Sequence, residues 1–163
     1  MTNVDRMTPD DWEQVRSIYL EGVGSGHSTF ETQAPSWEQW NEGHHEFARL
    51  VVRDGDRILG WAALSPVSKR KVYRGVAELT VYVTESARGQ GIGRSLLEAV
   101  IDESELNDIW TLQASIFPEN IASAKLHLRC GFREVGRRER IATLNGVWRD
   151  TLLFERRSKR VGV

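Results

Sequence analysis

The residues best suited to chemistry are three glycines, at positions 89, 91 and 93 of the stretch "ARGQGIGR". The apolar stretch "ELTVYV" lies before them, and "RSLLEAVI", with the apolar spacing of a helix, follows. A glycine-rich turn between a strand and a helix typically presents backbone N–H groups to phosphate, although a tight turn without a ligand is the alternative. The candidate anion-binding residues are Arg88, Gly89, Gln90, Gly91, Ile92, Gly93 and Arg94.

The spacing of these glycines excludes two well-known phosphate motifs. A P-loop ends in Gly-Lys-Ser/Thr, which is missing here and also in the earlier stretch "GVGSGHST". A dinucleotide fingerprint needs glycine at its sixth position, which is Arg94 counted from Gly89 and Leu96 counted from Gly91. What remains is Arg-x-x-Gly-x-Gly between a strand and a helix.

Other catalytic and metal motifs are missing from the sequence. His44-His45 lacks the second histidine that the HExxH zinc motif requires, and no Gly-x-Ser-x-Gly elbow occurs. The single cysteine, Cys130, has no signature around it and is expected to be a packing residue. We therefore expect no metal and no internal disulfide.

The elements that must position the turn are predicted in the order α, α, β, β, β, α, β, α, β, β. The dipeptides Asp54-Gly55 and Asn145-Gly146 predict two hairpins, because they suit two-residue turns with positive φ. A mixed order with several hairpins favours an α+β fold over a doubly wound parallel sheet. The length of 163 residues suits a single domain over residues 1–163.

Several helix ends also carry recognisable signals. Thr8 is a plausible N-cap of the first helix, which we expect to end near Gly22. Ser36, with a glutamine three residues later, forms a capping box for the second helix. Asn120 and Gly131 are placed to cap the two ends of the last helix.

The strand before the glycine turn alternates between two faces. Glu78, Thr80 and Tyr82 point to one side, and Ala77, Leu79, Val81 and Val83 to the other. From the residues alone, Glu78 is an exposed strand carboxylate or the ion-pair partner of Arg74 or Lys71.

Composition narrows the class of protein further. The formal net charge of −1 argues against a general nucleic-acid surface. No apolar run approaches the roughly 18 residues of a membrane span, and the N-terminus has no signal-peptide pattern. We expect a cytoplasmic protein without membrane or nucleic-acid partners.

Two motifs in the right order resemble the GNAT N-acetyltransferases. The first is the glycine turn after "VYV", and the second is Asn120 and Ser123 followed by His127 and Gly131-Phe132. The flanking stretches "STFETQAPSWEQW", "YRGVAELTVYV" and "NGVWRDTLLFERR" are similar to the phosphinothricin acetyltransferases. Thr80 replaces the usual serine, and the basic loop "VSKRKVYRG" departs from that subgroup's aromatic pattern. The resemblance implies the GNAT fold, a central mixed, mostly antiparallel sheet flanked by helices.

The resemblance also implies a reaction and its residues. Acetyl would pass directly from acetyl-CoA to a primary amine in a ternary complex. Glu78 would be the base, and His127 would be a proton donor to the leaving thiolate or, equally, a packing or substrate-contact residue. The cofactor would lie on the glycine turn, on the backbone of the preceding strand and on the last helix, with Val81, Tyr82, Val83, Asn120 and Ser123 as its contacts outside the turn.

The acceptor implied by the resemblance is a small amino-acid analogue such as phosphinothricin or methionine sulfoximine. Phe30 and the basic residues Lys69, Arg70 and Arg74 are the expected substrate contacts, since arginine binds carboxylate or phosphinate well. A polyamine, an aminoglycoside or a protein N-terminus are alternative acceptors, and a CoA-binding module without catalysis is a third hypothesis. The family likeness suggests a homodimer.

Overall fold

A mixed sheet of seven strands organises the chain. The computed structural model describes residues 2–163. The strands are β1 (Thr2–Arg6), β2 (Leu50–Asp54), β3 (Arg57–Pro66), β4 (Val76–Val83), β5 (Thr111–Ile116), β6 (Arg133–Leu144) and β7 (Val147–Arg157). Their spatial order is β1-β2-β3-β4-β5-β7-β6, and the central pair β4 and β5 is parallel while the other neighbours are antiparallel.

Four helices flank the sheet: α1 (Trp12–Ser25), α2 (Trp37–Gly43), α3 (Ile92–Leu106) and α4 (Ile121–Arg129). Against one face pack α1 and α2, around a cluster that includes the buried tryptophans 12, 40 and 61. The larger core includes the apolar residues of α3, with Leu96 and Leu97 fully buried. Within residues 2–163, no helix is long and apolar enough to cross a membrane.

The predicted α+β class, with a mixed and mostly antiparallel sheet, is confirmed. Both predicted hairpins are present, and Asn145 and Gly146 adopt positive φ values of 50° and 80°. The second capping box is present, with Ser36 accepting from the Gln39 N–H at 3.2 Å.

One element was missed by the sequence analysis, and one expected helix end was wrong. Strand β1 was not predicted, because its five residues contain one apolar side chain and all of them are exposed at the sheet edge. The first helix does not end near Gly22 but continues to Ser25, and Gly26 ends it in the left-handed conformation at φ 73°.

The parallel pair at the centre of the sheet separates after a short contact. Only three register pairs join β4 to β5, and the last of them is Glu78 with Gln113. Beyond that pair the two strands diverge, so one edge of β4 from Leu79 to Val83 has no strand partner. This divergence opens the cleft in which the candidate functional residues lie.

Candidate active site

An open cleft of about 960 Å³ fills the space between the diverging strands. Its walls are the loop after α1, strand β4, the glycine turn, the end of β5 and the N-terminal part of α4. Most of the residues singled out from the sequence line it. The cleft therefore brings together residues that lie nearly a hundred positions apart in the chain.

The glycine turn forms an open cradle at one end of the cleft. Gly89 and Gly91 have φ values of 77° and 80°, a conformation that residues with a Cβ rarely adopt. A Cβ built at either position would meet no atom within 4 Å, so the space beside the turn is free for a ligand. Gly91 is also the N-cap of α3, where the first N–H groups of the helix have no intrahelical acceptor. These features fit a phosphate group.

The third glycine of the turn, Gly93, is needed for a different reason. A Cβ at Gly93 would lie 2.9 Å from the Leu126 side chain, which is too close for a real contact. Gly93 therefore permits α3 and α4 to pack together, whereas the sequence expectation gave all three glycines to the ligand.

The side chains around the cradle differ in their availability. Arg88 is exposed and lines the cleft. Arg94 also lines it but pairs with Glu98 at 2.7 Å. Gln90 is in the turn and does not line the cleft, while Arg129, which sequence reasoning missed, does.

The backbone of β4 presents amides to the cleft in alternation. The Thr84 N–H donates to the Leu59 carbonyl at 2.8 Å, which fixes the ladder between β3 and β4. Because antiparallel ladders alternate, Tyr82 and Thr80 also bond to β3, and the amides of Val81 and Val83 face the other way. The free amides on the cleft side are thus those of Val81 and Val83, and the Tyr82 amide is engaged with β3.

The Tyr82 side chain packs at the back of the cleft. Its ring stacks on Trp61 with centroids 5.2 Å apart, and contacts Tyr19 edge-on at the same distance. A Cβ at Gly22 would lie 2.5 Å from this ring. Burial raises the pKa of Tyr82, so its hydroxyl stays protonated at neutral pH.

Glu78 lies at the point where β4 and β5 separate. It is half-buried, lines the cleft and is opposite Ser65 on β3. Burial raises the pKa of its carboxyl, and the charge of Arg138 opposes that shift. Within residues 2–163, the carboxylate makes no ion pair with Arg74 or Lys71, which answers the question left open by the sequence.

Arg138 is a cation that sequence reasoning did not connect with the site. On β6 it is opposite Thr151 of β7, and directly opposed residues share one face of a sheet. Thr151 is buried and lines the cleft, so Arg138 projects from the face that bears the cleft. Among the described residues, the Arg138 guanidinium forms no ion pair or side-chain hydrogen bond.

His127 is a buried wall of the cleft, with 2% of its surface exposed. Its Nδ1 lies 2.7 Å from the Ser123 carbonyl, which can only accept, so Nδ1 carries the proton. Burial lowers the pKa of His127, and the ring is therefore neutral with a lone pair on Nε2. Nε2 is buried and has no hydrogen-bond partner among the described residues.

The start of α4 contributes Asn120 and Ser123. The Asn120 side chain accepts from the Ser123 N–H at 3.2 Å, which confirms the predicted cap, and both residues line the cleft. The cap uses the side-chain oxygen of Asn120, and the side-chain nitrogen of Asn120 remains available as a donor.

The basic loop before β4 does not reach the cleft. Lys69, Arg70 and Arg74 are exposed, and none of them lines it. The Arg70 guanidinium lies over the Tyr73 ring and that of Arg74 over the Trp110 ring, each 5.3 Å from the centroid. The structure does not bring these cations to Glu78, and their binding of substrate stays a prediction without support from this arrangement.

The loop after α1 forms another wall of the cleft. Phe30 lines the cleft as expected and meets Phe117 edge-on, with centroids 4.8 Å apart. Sequence reasoning missed His27 and Glu31, which line the same wall, and Glu119, which lines the cleft from the loop between β5 and α4. No motif in the sequence marks these residues, because the contacts that collect them join distant segments.

No group of three or more His, Cys, Asp or Glu side chains among residues 2–163 is arranged to hold a metal ion.

The mixed sheet, its four flanking helices and the open glycine turn form the fold that this chain shares with solved N-acetyltransferases. Residues 12–132 match the Acetyltransferase (GNAT) family, and the chain belongs to this family.

Similar proteins are known by sequence and by structure. A phosphinothricin N-acetyltransferase of Streptomyces coelicolor is 32% identical over 90% of this chain and 91% of its own. An L-methionine sulfoximine/L-methionine sulfone acetyltransferase of Pseudomonas aeruginosa is 33% identical over 65% of this chain and 62% of its own. The crystal structure of a ribosomal-protein-alanine N-acetyltransferase from Brucella melitensis superposes with a TM-score of 0.89, at 30% identity over 96% of this chain and 99% of that one.

Proposed function

We propose that this N-acetyltransferase transfers acetyl from acetyl-CoA to the α-amino group of a small amino-acid analogue of the phosphinothricin or methionine sulfoximine type. The transfer is direct and occurs in a ternary complex within one domain over residues 1–163. The observation that carries the proposal is the position of Glu78, a half-buried carboxylate that lines the cleft where β4 and β5 separate.

The part of the cleft formed by the glycine cradle and the free edge of β4, called the cofactor half below, suits acetyl-CoA. The free N–H groups of the cradle and Arg88 would hold the pyrophosphate, since Gly89 and Gly91 leave open space beside them. The unpaired amides of Val81 and Val83 would bond to the pantetheine arm as an added strand does. Acetyl-CoA supplies the activated acetyl thioester.

Glu78 acts as the base. An amino group is protonated at neutral pH and must lose a proton before it attacks, and a carboxylate within reach accepts that proton directly or through water. The raised pKa of Glu78 makes it a stronger base than an exposed glutamate. One of the free β4 amides donates to the thioester oxygen as negative charge builds up there.

Arg138 recognises the acceptor's carboxylate. An α-amino acid has its ammonium and carboxylate on one carbon, so it needs an anion and a cation in the site at the same time. Glu78 is the anion, and Arg138 is the unpaired cation whose charge reaches it. Arginine binds carboxylates in a two-point geometry that suits this task.

We also propose a homodimer. The edge strand β6 and its partner β7 expose Val135, Ile141, Val147 and Trp148, each more than 40% accessible. Exposed apolar side chains on an unpaired sheet edge favour association with a second copy. Light scattering coupled to size exclusion should give twice the chain mass of 18.6 kDa.

A cytoplasmic location stays a prediction.

The proposed acceptor class is tested by a thiol-release assay with acetyl-CoA. The panel is phosphinothricin, methionine sulfoximine, spermidine, an aminoglycoside and a peptide with N-terminal alanine. We expect kcat/KM for the two amino-acid analogues to exceed that for the other amines by at least about 10-fold, or about 1.4 kcal/mol in transition-state binding. The similarity to a ribosomal-protein-alanine N-acetyltransferase makes the peptide the second candidate, and its preference would replace the proposal.

A further inference from the structure

Arg149 on β7 joins the two loops that enclose the cleft. Its side chain is 13% exposed, which is low for an arginine that is not part of the apolar core. Nη1 donates to the Gly26 carbonyl at 2.9 Å, at the point where α1 ends and the loop of residues 26–31 begins. Nη2 donates to His27 Nδ1 at 3.1 Å, and His27 lines the cleft.

The same guanidinium contacts the loop between β5 and α4. Nη2 also lies 3.3 Å from Glu119 Oε2, and the guanidinium carbon lies 4.3 Å from the centroid of the Phe117 ring. Phe117 in turn packs edge-on against Phe30. The Arg149 side chain therefore meets both walls of the cleft at once, through hydrogen bonds, an ion pair and a cation–π contact.

The two loops serve different ligands in the proposed function. Residues 26–31 form the wall next to the acceptor site, whereas Glu119 directly precedes Asn120, which faces the cofactor at the start of α4. A single planar cation fixes the position of one loop relative to the other. Ordering of either loop by a ligand thus lowers the entropic cost of ordering the other.

We propose that Arg149 is a positioning residue that couples binding of the acceptor amine to binding of the CoA co-substrate. The proposal rests on the proposed function for the identity of the two ligands. The contact between the loops is independent of it. Arg149 does not itself line the cleft, so its effect passes through Gly26, Phe117 and Glu119.

The first test needs no activity. Hydrogen exchange of residues 26–31 is compared in the wild type, Arg149→Ala and a control, Arg137→Ala. Arg137 is also an arginine in an ion pair, with Asp150 at 2.6 Å, but it contacts neither loop. We expect exchange in 26–31 to accelerate at least 10-fold in Arg149→Ala alone. Unchanged exchange there, or equal acceleration in the control, overturns the proposal whatever the enzyme acetylates.

The second test measures the coupling. CoA binding is titrated by calorimetry with and without saturating methionine sulfoximine, so that no turnover occurs. We expect the acceptor to tighten CoA binding at least 5-fold in the wild type, not at all in Arg149→Ala, and to an intermediate degree in Arg149→Lys, which keeps the charge but not the fork. Coupling that survives in Arg149→Ala overturns the proposal.

The outcomes separate the two proposals. A wild type that acetylates none of the amino-acid analogues refutes the proposed function, while the exchange result still decides the role of Arg149. A wild type that acetylates them, with the same coupling in Arg149→Ala, refutes only the role of Arg149.

Discussion

The two halves of the cleft are built from different parts of the chain. The cofactor half uses backbone: the cradle at Gly89 and Gly91 and the free amides of Val81 and Val83 come from one short stretch. The acceptor half uses side chains from separate elements: Phe30, Glu78, Phe117 and Thr151 line it. Arg138 does not line the cleft but is opposite Thr151, on the same face of the sheet.

This difference has consequences for substitution. Backbone donors persist when neighbouring side chains change, so the cofactor half is sensitive to conformation and tolerant of side-chain chemistry. The acceptor half is the reverse, since a single side chain there carries each charge. Side-chain exchange should therefore alter which amine is used without altering the co-substrate.

Replacing Glu78 should have the largest effect. The substitution Glu78→Gln keeps the shape and removes the base, so we expect kcat/KM to fall about 100- to 10,000-fold, as for other general bases. CoA binding, measured by calorimetry, should stay within about 2-fold because Glu78 is not part of the cradle.

The pH dependence of activity is a second test of Glu78. In the proposed mechanism activity needs ionised Glu78, and burial raises the pKa of this carboxyl, so activity should be lost as pH falls through a value above that of an ordinary glutamate. This acid limb should be missing in the residual activity of Glu78→Gln. Unchanged turnover of that variant between pH 6 and 9 would refute the assignment of the base.

The substitution Gly91→Ala tests the cofactor half. At φ 80° a residue with a Cβ costs roughly 1–2 kcal/mol, and relief of that strain reshapes the cradle. We expect the Kd for CoA to rise about 10-fold. The KM for the amine, measured at saturating acetyl-CoA, should change less than about 2-fold. An equal rise in both constants would show that the halves are not separate.

Gly93→Ala is the matched control. It sits in the same turn but meets Leu126, so it should lower thermal stability through the contact between α3 and α4.

The cofactor half could be predicted from the sequence because its geometry is local. Glycines that need positive φ, a preceding strand and a following helix all fall within about twenty consecutive residues, so their spacing carries the three-dimensional arrangement. The cap by Asn120 was predictable for the same reason, since a cap bonds only three positions ahead. The packing role of Gly93, however, depends on its contact with Leu126 in another helix and could not be predicted from the sequence.

The acceptor half could not be predicted because tertiary pairing creates it. Arg138 lies on the face of the sheet that bears the cleft because of the register of β6 with β7, and a bulge between Arg138 and Ala142 shifts that register. The basic loop looked suitable because it is adjacent to β4 in sequence, yet it lies at the end of the strand opposite the glycine turn. Sequence proximity to Glu78 thus favoured Arg74, whereas sheet topology favours Arg138.

The substitution Arg138→Gln should have a selective effect of intermediate size. A charged hydrogen bond contributes about 1.5–3 kcal/mol, so we expect the KM for methionine sulfoximine to rise about 10-fold or more. The KM for the carboxamide of the same compound should not change, and Arg74→Gln serves as control. Equal effects on acid and amide would refute carboxylate recognition.

A second readout of Arg138→Gln is the acid limb. The charge of Arg138 lowers the pKa of Glu78, so its removal should move the limb to higher pH. A limb at the wild-type position would show that Arg138 does not reach the base.

The substitution His127→Asn should have the smallest effect and settles the question of the acid. A general acid would have to deliver a proton from Nε2, but Nδ1 already holds the ring proton against the Ser123 carbonyl, and burial disfavours the doubly protonated ring. Asparagine keeps a donor near the Ser123 carbonyl and removes Nε2. If the CoA thiolate leaves unaided, kcat should fall less than about 5-fold, without loss of a basic limb. A fall of about 100-fold or more, with that limb abolished, would show that His127 donates the proton to the leaving CoA thiolate.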